Sequence, residues 1–161
     1  MTEQQKRRKV GRPRLDFKKK YTQVRVNDDL ADENHELMPL SLYSKSKVAA
    51  EQYILSLKEK TRMNPTILRF ATAFGLSPRM RFDLTVNEFT RDLVMGKELL
   101  VYDAQTWRPY CHVKDFARLI KMVIEAPKEK IAWEVFNSGG SINNATKQMV
   151  VEYILEKFPN G

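Results

Sequence analysis

The chain has 161 residues, 42% of them hydrophobic, which is enough for one ordinary domain with a real core. Its net charge of +8 is unevenly placed: ten of the 28 basic residues but only two of the 20 acids fall in residues 1–25, and the other 136 residues hold 18 of each. Short apolar stretches exclude a transmembrane helix, and the basic start lacks the apolar run of a secretory signal. The single cysteine, Cys111, excludes an intramolecular disulfide, so cytoplasm is the default location.

Residues 1–20 hold almost no apolar side chains and are expected to be disordered when free. Lys20 to Val26 alternates like a strand, and Asn27-Asp28-Asp29 reads as the N-cap of a short helix. Tyr43 to Lys60 is helical, with Val48, Tyr53, Ile54, Leu55 and Leu57 available for one apolar side. Thr66 to Phe70 is a short apolar strand of the kind buried in parallel sheets, and Ala71 to Arg81 is a loop. A helix over Leu84–Met95 ends at Gly96. A strand over Leu99–Tyr102, an extended piece over Pro109–His112 and a helix over Val113–Glu125 follow. The chain closes with a strand over Glu134–Asn137, a Gly139-Gly140 turn and a helix over Asn144–Phe158. Strands alternating with helices indicate an α/β architecture.

Tyr43-Ser44-Lys45-Ser46-Lys47 carries the clearest chemistry. Positions i and i+4 lie on one helical face, so Tyr43 and Lys47 are neighbours. An ammonium beside a phenol favours the phenolate, and the pair can serve as a proton donor and acceptor for carbonyl and alcohol chemistry. The alternative is a plain amphipathic helix with a solvated lysine.

The run from Asp32 to Glu51, containing Met38-Pro39-Leu40-Ser41-Leu42 and the Tyr43/Lys47 pair, resembles the active-site segment of extended short-chain dehydrogenases/reductases. Within these it resembles the NAD-dependent epimerase/dehydratase family, which acts on nucleotide sugars. Three later segments agree in order: Pro65 to Gly75, Leu99 to Asp115 with Trp107-Arg108-Pro109-Tyr110, and Glu134 to Gly139. The resemblance covers about residues 33–161.

That resemblance implies roles. Tyr43 would be the catalytic acid/base, and Lys47 would hold the nicotinamide ribose and favour the phenolate. Phe70 matches the position packed near the nicotinamide. Thr72 stands where many members place an asparagine that reaches the substrate. Asn87 and Arg108 would face the diphosphate of the nucleotide sugar, for which a guanidinium fork is suited. The implied cofactor is NAD.

The family begins with a strand and a Gly-x-x-Gly-x-x-Gly turn that seats dinucleotide phosphates on a helix N-terminus. Gly11 is the only glycine before Gly75, so that motif is absent. The expected architecture is therefore a partial Rossmann-type α/β sheet, resembling the C-terminal half of the family's fold, with a small substrate-binding subdomain over residues 33–161. A basic arm over residues 1–32 precedes it. Such a sheet would have an open edge and bare apolar faces, so the expectation is a truncated chain, inactive alone, that binds NAD weakly or not at all and shows marginal stability, self-association or a complementing subunit.

Within the arm, Gly11-Arg12-Pro13-Arg14 is similar to the core of minor-groove-binding arms. The run from Gly11 to Leu30 resembles the start of ribbon-helix-helix DNA-binding proteins, in which a strand such as Tyr21–Val26 enters the major groove. On that alternative Arg12, Arg14 and Arg25 would contact nucleic acid. A solvated basic tail remains the plain reading. His35 and His112 lie far apart and no metal-ligand spacing exists, so no metal is expected. His112 and Cys111 read as packed residues, and Asp115 as a helix-start acid.

Overall fold

The computed structural model describes residues 24–26 and 29–159, with side chains from Ala31 onward except Ser141. β1 (Val24–Val26) and β2 (Asp29–Ala31) form an antiparallel hairpin in which Arg25 stands opposite Leu30. The helix expected from Asn27-Asp28-Asp29 gives way to a returning strand from Asp29 onward, and β1 runs beside β5 (Trp107–His112). Among the described residues no helix directly follows β1, so the ribbon-helix-helix reading of the arm is not supported. Strand pairing wins over helix initiation from Asp29 onward, because the ladder to β1 satisfies that backbone at once.

Helix α1 (Leu42–Ser56) starts at Ser41 through a reciprocal capping box, with Ser44 N–H bonded to Ser41 Oγ at 3.1 Å and Ser41 N–H to Ser44 Oγ at 3.0 Å. It ends four residues before the sequence suggests, in turns that carry Glu59 at φ 68°. The apolar side expected of it is only half-buried, and Tyr53 is exposed.

β3 (Ile67–Phe70) pairs in parallel with β6 (Val135–Ser138), with Arg69 beside Asn137. Among the described strands each of this pair has only the other as neighbour. After Ala71, whose N–H still bonds Ser138 O at 2.9 Å, the chain continues as β4 (Thr72–Phe74) and changes partner. β4 pairs in parallel with β5, which pairs antiparallel with β7 (Asn144–Thr146). β4 and β7 lie in segments that the sequence reads as a loop and a helix start. The strand expected over Leu99–Tyr102 is absent; those residues are irregular.

α2 (Thr85–Val94) closes with a Schellman motif. Gly96 at φ 65° donates to Leu93 O and Lys97 N–H to Asp92 O, which satisfies two terminal carbonyls. α3 (Val113–Glu125) has the expected bounds, and a short α4 (Lys128–Ile131) precedes β6. α5 (Lys147–Lys157) follows β7, capped by Thr146. Five of the seven buried apolar side chains among the described residues, Phe89, Tyr110, Ala145, Val150 and Ile154, lie where α2 and α5 cover the three-stranded sheet. The other two are Ala31 and Cys111. Elsewhere large apolar side chains face solvent, among them Leu40, Leu42, Ile124 and Ile142. No helix among the described residues is long and apolar enough to cross a membrane.

Candidate active site

The capping box fixes the first turn of α1, and with it Tyr43. Ser46 Oγ donates to Tyr43 O at 2.8 Å, which further ties that turn. Lys47 stands one turn on, its ammonium 5.3 Å from the centre of the Tyr43 ring. This is cation–π range. Both side chains are exposed, Tyr43 at 72%. The pair read from the sequence is thus brought together, with its functional groups open to solvent.

The other residues that the sequence offers as candidates for the site sit on β3, β4, β5 and α2. Phe70 ends β3; the residue is 49% exposed, and its ring is met edge-on by Phe116 of α3 at 4.7 Å between centroids. Thr72 lies two residues further, across the strand break, opposite Tyr110. Arg108 is exposed and opposite Ala145 of β7. It shares a strand face with Tyr110, because side chains alternate along a strand. Burial pushes the Tyr110 phenol up from its ordinary range, while the charge of Arg108 and the polar side chain of Thr85 oppose the shift.

Asn87 is buried and serves the backbone. Its Oδ1 accepts from Gly75 N–H at 3.0 Å and its Nδ2 donates to Arg81 O at 2.9 Å. The side chain expected at a diphosphate therefore also pins the two ends of the loop between β4 and α2. Gly75, at φ 108°, is packed under His112, whose ring meets Phe74 edge-on at 5.3 Å. His112 Nδ1 accepts from Lys114 N–H at 3.1 Å and so caps α3; the packed-histidine reading holds. Asp115 pairs with Arg118 in the first turns of that helix. Cys111 is buried, and burial raises its thiol against the opposing charge of Arg118.

Two apolar grooves, of about 540 and 300 Å³, flank Phe74, Val86, Thr90 and Phe158, on the side of α2 and α5. Tyr43 and Lys47 line neither. No group of three or more His, Cys, Asp or Glu among the described residues is placed to hold a metal ion. Arg12 and Arg14 fall outside the described residues, and Arg25 is in β1.

One cluster escaped sequence reading. Arg69, inside an otherwise apolar strand, forks onto Glu51 of α1 at 3.0 and 2.5 Å and bonds Glu33 O at 3.1 Å. The available signal was a lone cation in a strand that is otherwise apolar, which calls for a partner when buried.

Parallel α/β strands with a Tyr-x-x-x-Lys helix beside them place the molecule among Rossmann-like proteins. The model of the NAD dependent epimerase/dehydratase family matches residues 20–139, a span that includes the β1–β2 hairpin. The chain belongs to that family. It is similar to the uncharacterized UDP-glucose epimerase YtcB of Bacillus subtilis, with 30% identity over 110 residues, 68% of this chain and 34% of that protein. It is also similar to the dTDP-glucose 4,6-dehydratase of Neisseria gonorrhoeae, with 29% identity over 83% of this chain and 37% of that enzyme. Among solved structures, the NAD complex of dTDP-glucose 4,6-dehydratase from Bacillus anthracis superposes with a TM-score of 0.69 at 27% identity, over 80% of this chain and 40% of that one. The UDP-glucuronic acid 4-epimerase of Bacillus cereus, with UDP-glucuronic acid and NAD, gives a TM-score of 0.71 at 22% identity, which shows the shared fold; the match covers 87% of this chain and 44% of that one. The chain spans about a third of the length of the curated relatives it matches.

Proposed function

We propose that the chain takes part in NAD-dependent conversion of nucleotide sugars, with Tyr43 as the acid/base and Lys47 as its cationic partner. The observation that carries this is the Lys47 ammonium 5.3 Å from the Tyr43 ring centre on the solvent-open first turns of α1. Relatives that are nucleotide-sugar epimerases and dehydratases, and a matching structure in complex with NAD, support it.

The donor set fits a nicotinamide riboside. A phenol and an ammonium suit ribose hydroxyls, and Phe70 offers a half-exposed apolar ring held in place by Phe116. A bound nicotinamide supplies hydride acceptance from a sugar carbon and its return. Tyr43 takes the proton of the sugar hydroxyl at its phenolic oxygen as that carbon is oxidised, and gives it back on reduction. Lys47, its ammonium 5.3 Å from the ring centre, keeps a positive charge beside that phenol through both transfers. Thr72 offers a hydroxyl to the sugar. The exposed Arg108 offers two parallel N–H donors to a diphosphate, and Asn87 keeps one free N–H beyond its two loop bonds.

The sequence has no Gly-x-x-Gly-x-x-Gly turn, so these residues alone are expected to bind NAD weakly. Titration of NADH fluorescence against the purified chain should give a Kd weaker than micromolar; a tighter value would overturn that expectation. Turnover of UDP-glucose or dTDP-glucose at saturating NAD, followed by product chromatography, tests the chemistry. Loss in Tyr43→Phe is expected. Equal turnover by Tyr43→Phe, or none by the unaltered chain at saturating NAD, would overturn the proposal.

A further inference from the structure

α1 carries Tyr43 and Lys47, yet none of its 15 residues is buried. Its inward stripe of Ser44, Val48, Glu51 and Leu55 is only half-buried. An isolated helix of this length is marginal in water, and tertiary contacts normally stabilise it. Apolar packing supplies few of them here, so a polar anchor matters more than usual.

The anchor lies in the middle of the stripe. Arg69 Nε donates to Glu51 Oε2 at 3.0 Å and Nη2 to Oε1 at 2.5 Å, a bidentate pair with side chains 23% and 12% exposed. Its third group, Nη1, donates to Glu33 O at 3.1 Å. The Glu33 carboxylate is itself buried, and its Oε1 accepts from Asn137 N–H at 2.9 Å. Arg69 and Asn137 are register partners on β3 and β6. Glu33 therefore bridges the two parallel strands, and Arg69 joins that bridge to α1. The Glu51 bond, opposed by burial and aided by the charges of Glu51 and Glu33, raises the Arg69 pKa, so the guanidinium stays charged.

We propose that Arg69 is the positioning residue for the Tyr43–Lys47 pair, its fork fixing α1 against the end of β3 and β6. The proposal rests on the reading of Tyr43 as acid/base, but its structural half is testable without turnover. Glu51 lies eight residues beyond Tyr43, about 12 Å along a stiff helix, so a fixed Glu51 sets where the phenol stands. Lysine in place of Arg69 keeps the charge but loses two of the three directed bonds.

Hydrogen exchange read by mass spectrometry on the full chain gives the first test. In Arg69→Gln and in Glu51→Gln, amides of α1 should exchange about ten-fold faster or more, while those of α2 and α5 stay unchanged. The swapped pair Arg69→Glu with Glu51→Arg should recover part of the protection. Unchanged α1 exchange in both single variants would overturn the proposal. Equal acceleration in α2 and α5 would overturn it too, because Arg69 would then support the whole fold. The second test is kinetic: Arg69→Lys should lower kcat about ten-fold with little change in KM for the nucleotide sugar. An unchanged kcat would overturn the catalytic half. The Tyr43 reading fails separately, through undiminished turnover by Tyr43→Phe.

Discussion

The His112 ring fills the space that a side chain on Gly75 would need: a Cβ there would stand 2.3 Å from Nε2 and 2.5 Å from Cδ2. Gly75 also holds φ 108°, a conformation that side chains other than hydrogen rarely adopt. Gly75→Ala should therefore cost about 3 kcal/mol, from backbone strain and overpacking together. His112→Ala removes the clash but not the strain, so the double variant should lose less than the two single losses added. Urea melts of the four proteins check this; strict additivity would show that the ring gives way freely.

Tyr43 and Lys47 are exposed and carry no packing. Tyr43→Phe and Lys47→Met should each leave the urea midpoint within about 0.5 kcal/mol of the unaltered chain. Turnover should fall in both. A stability loss near 2 kcal/mol in either would mean that the pair holds α1 rather than serving chemistry.

Cys111 is buried with its thiol pushed above the ordinary range. Since the thiolate is the reactive form, an aromatic disulfide reagent at pH 8 should label the folded chain about a hundred-fold more slowly than the urea-unfolded chain. Comparable rates would indicate that the β4–β5–β7 sheet opens readily around that strand.

Asp92 accepts two bonds from Arg91, at 2.7 and 2.9 Å, and faces Lys97 at 3.7 Å. These partners, the Arg91 bond first, hold its carboxyl below the usual 3.8. The folded form therefore binds its proton less readily than the unfolded chain. The stabilisation is fully present above about pH 4 and is lost as pH falls through the lowered folded value. Acid melts of Asp92→Asn should show a shallower decline below pH 4 than the unaltered chain. Parallel declines would remove Asp92 from the acid response.

Local signals made α1, α3 and β3 legible: a tyrosine–lysine spacing, an unbroken amphipathic run from Val113 to Glu125, and an apolar strand after Pro65. The missed elements depend on distant partners. β4 and β7 are three residues each, too short to announce themselves, and exist because β5 lies between them. Leu99–Tyr102 has strand-like residues, yet Leu99 and Val101 pack onto the core without forming a strand. Asp29–Ala31 has helix-start chemistry overridden by pairing with β1. In the site, Tyr43 and Lys47 were readable because their relation is local. The loop-pinning bonds of Asn87 and the Arg69–Glu51–Glu33 junction were not, because each depends on how separate segments fold together.

One strand threads two ladders. Phe70 is registered against Ser138, Thr72 against Tyr110, and Ala71 between them still donates to Ser138 O. A slip by a single residue would turn every side chain of the strand to its opposite face and break both ladders in the same event. Each ladder thus proofreads the other. The spacing between the aromatic ring at 70 and the hydroxyl at 72 is set by the backbone before any ligand arrives, and it changes only if both sheets are rebuilt.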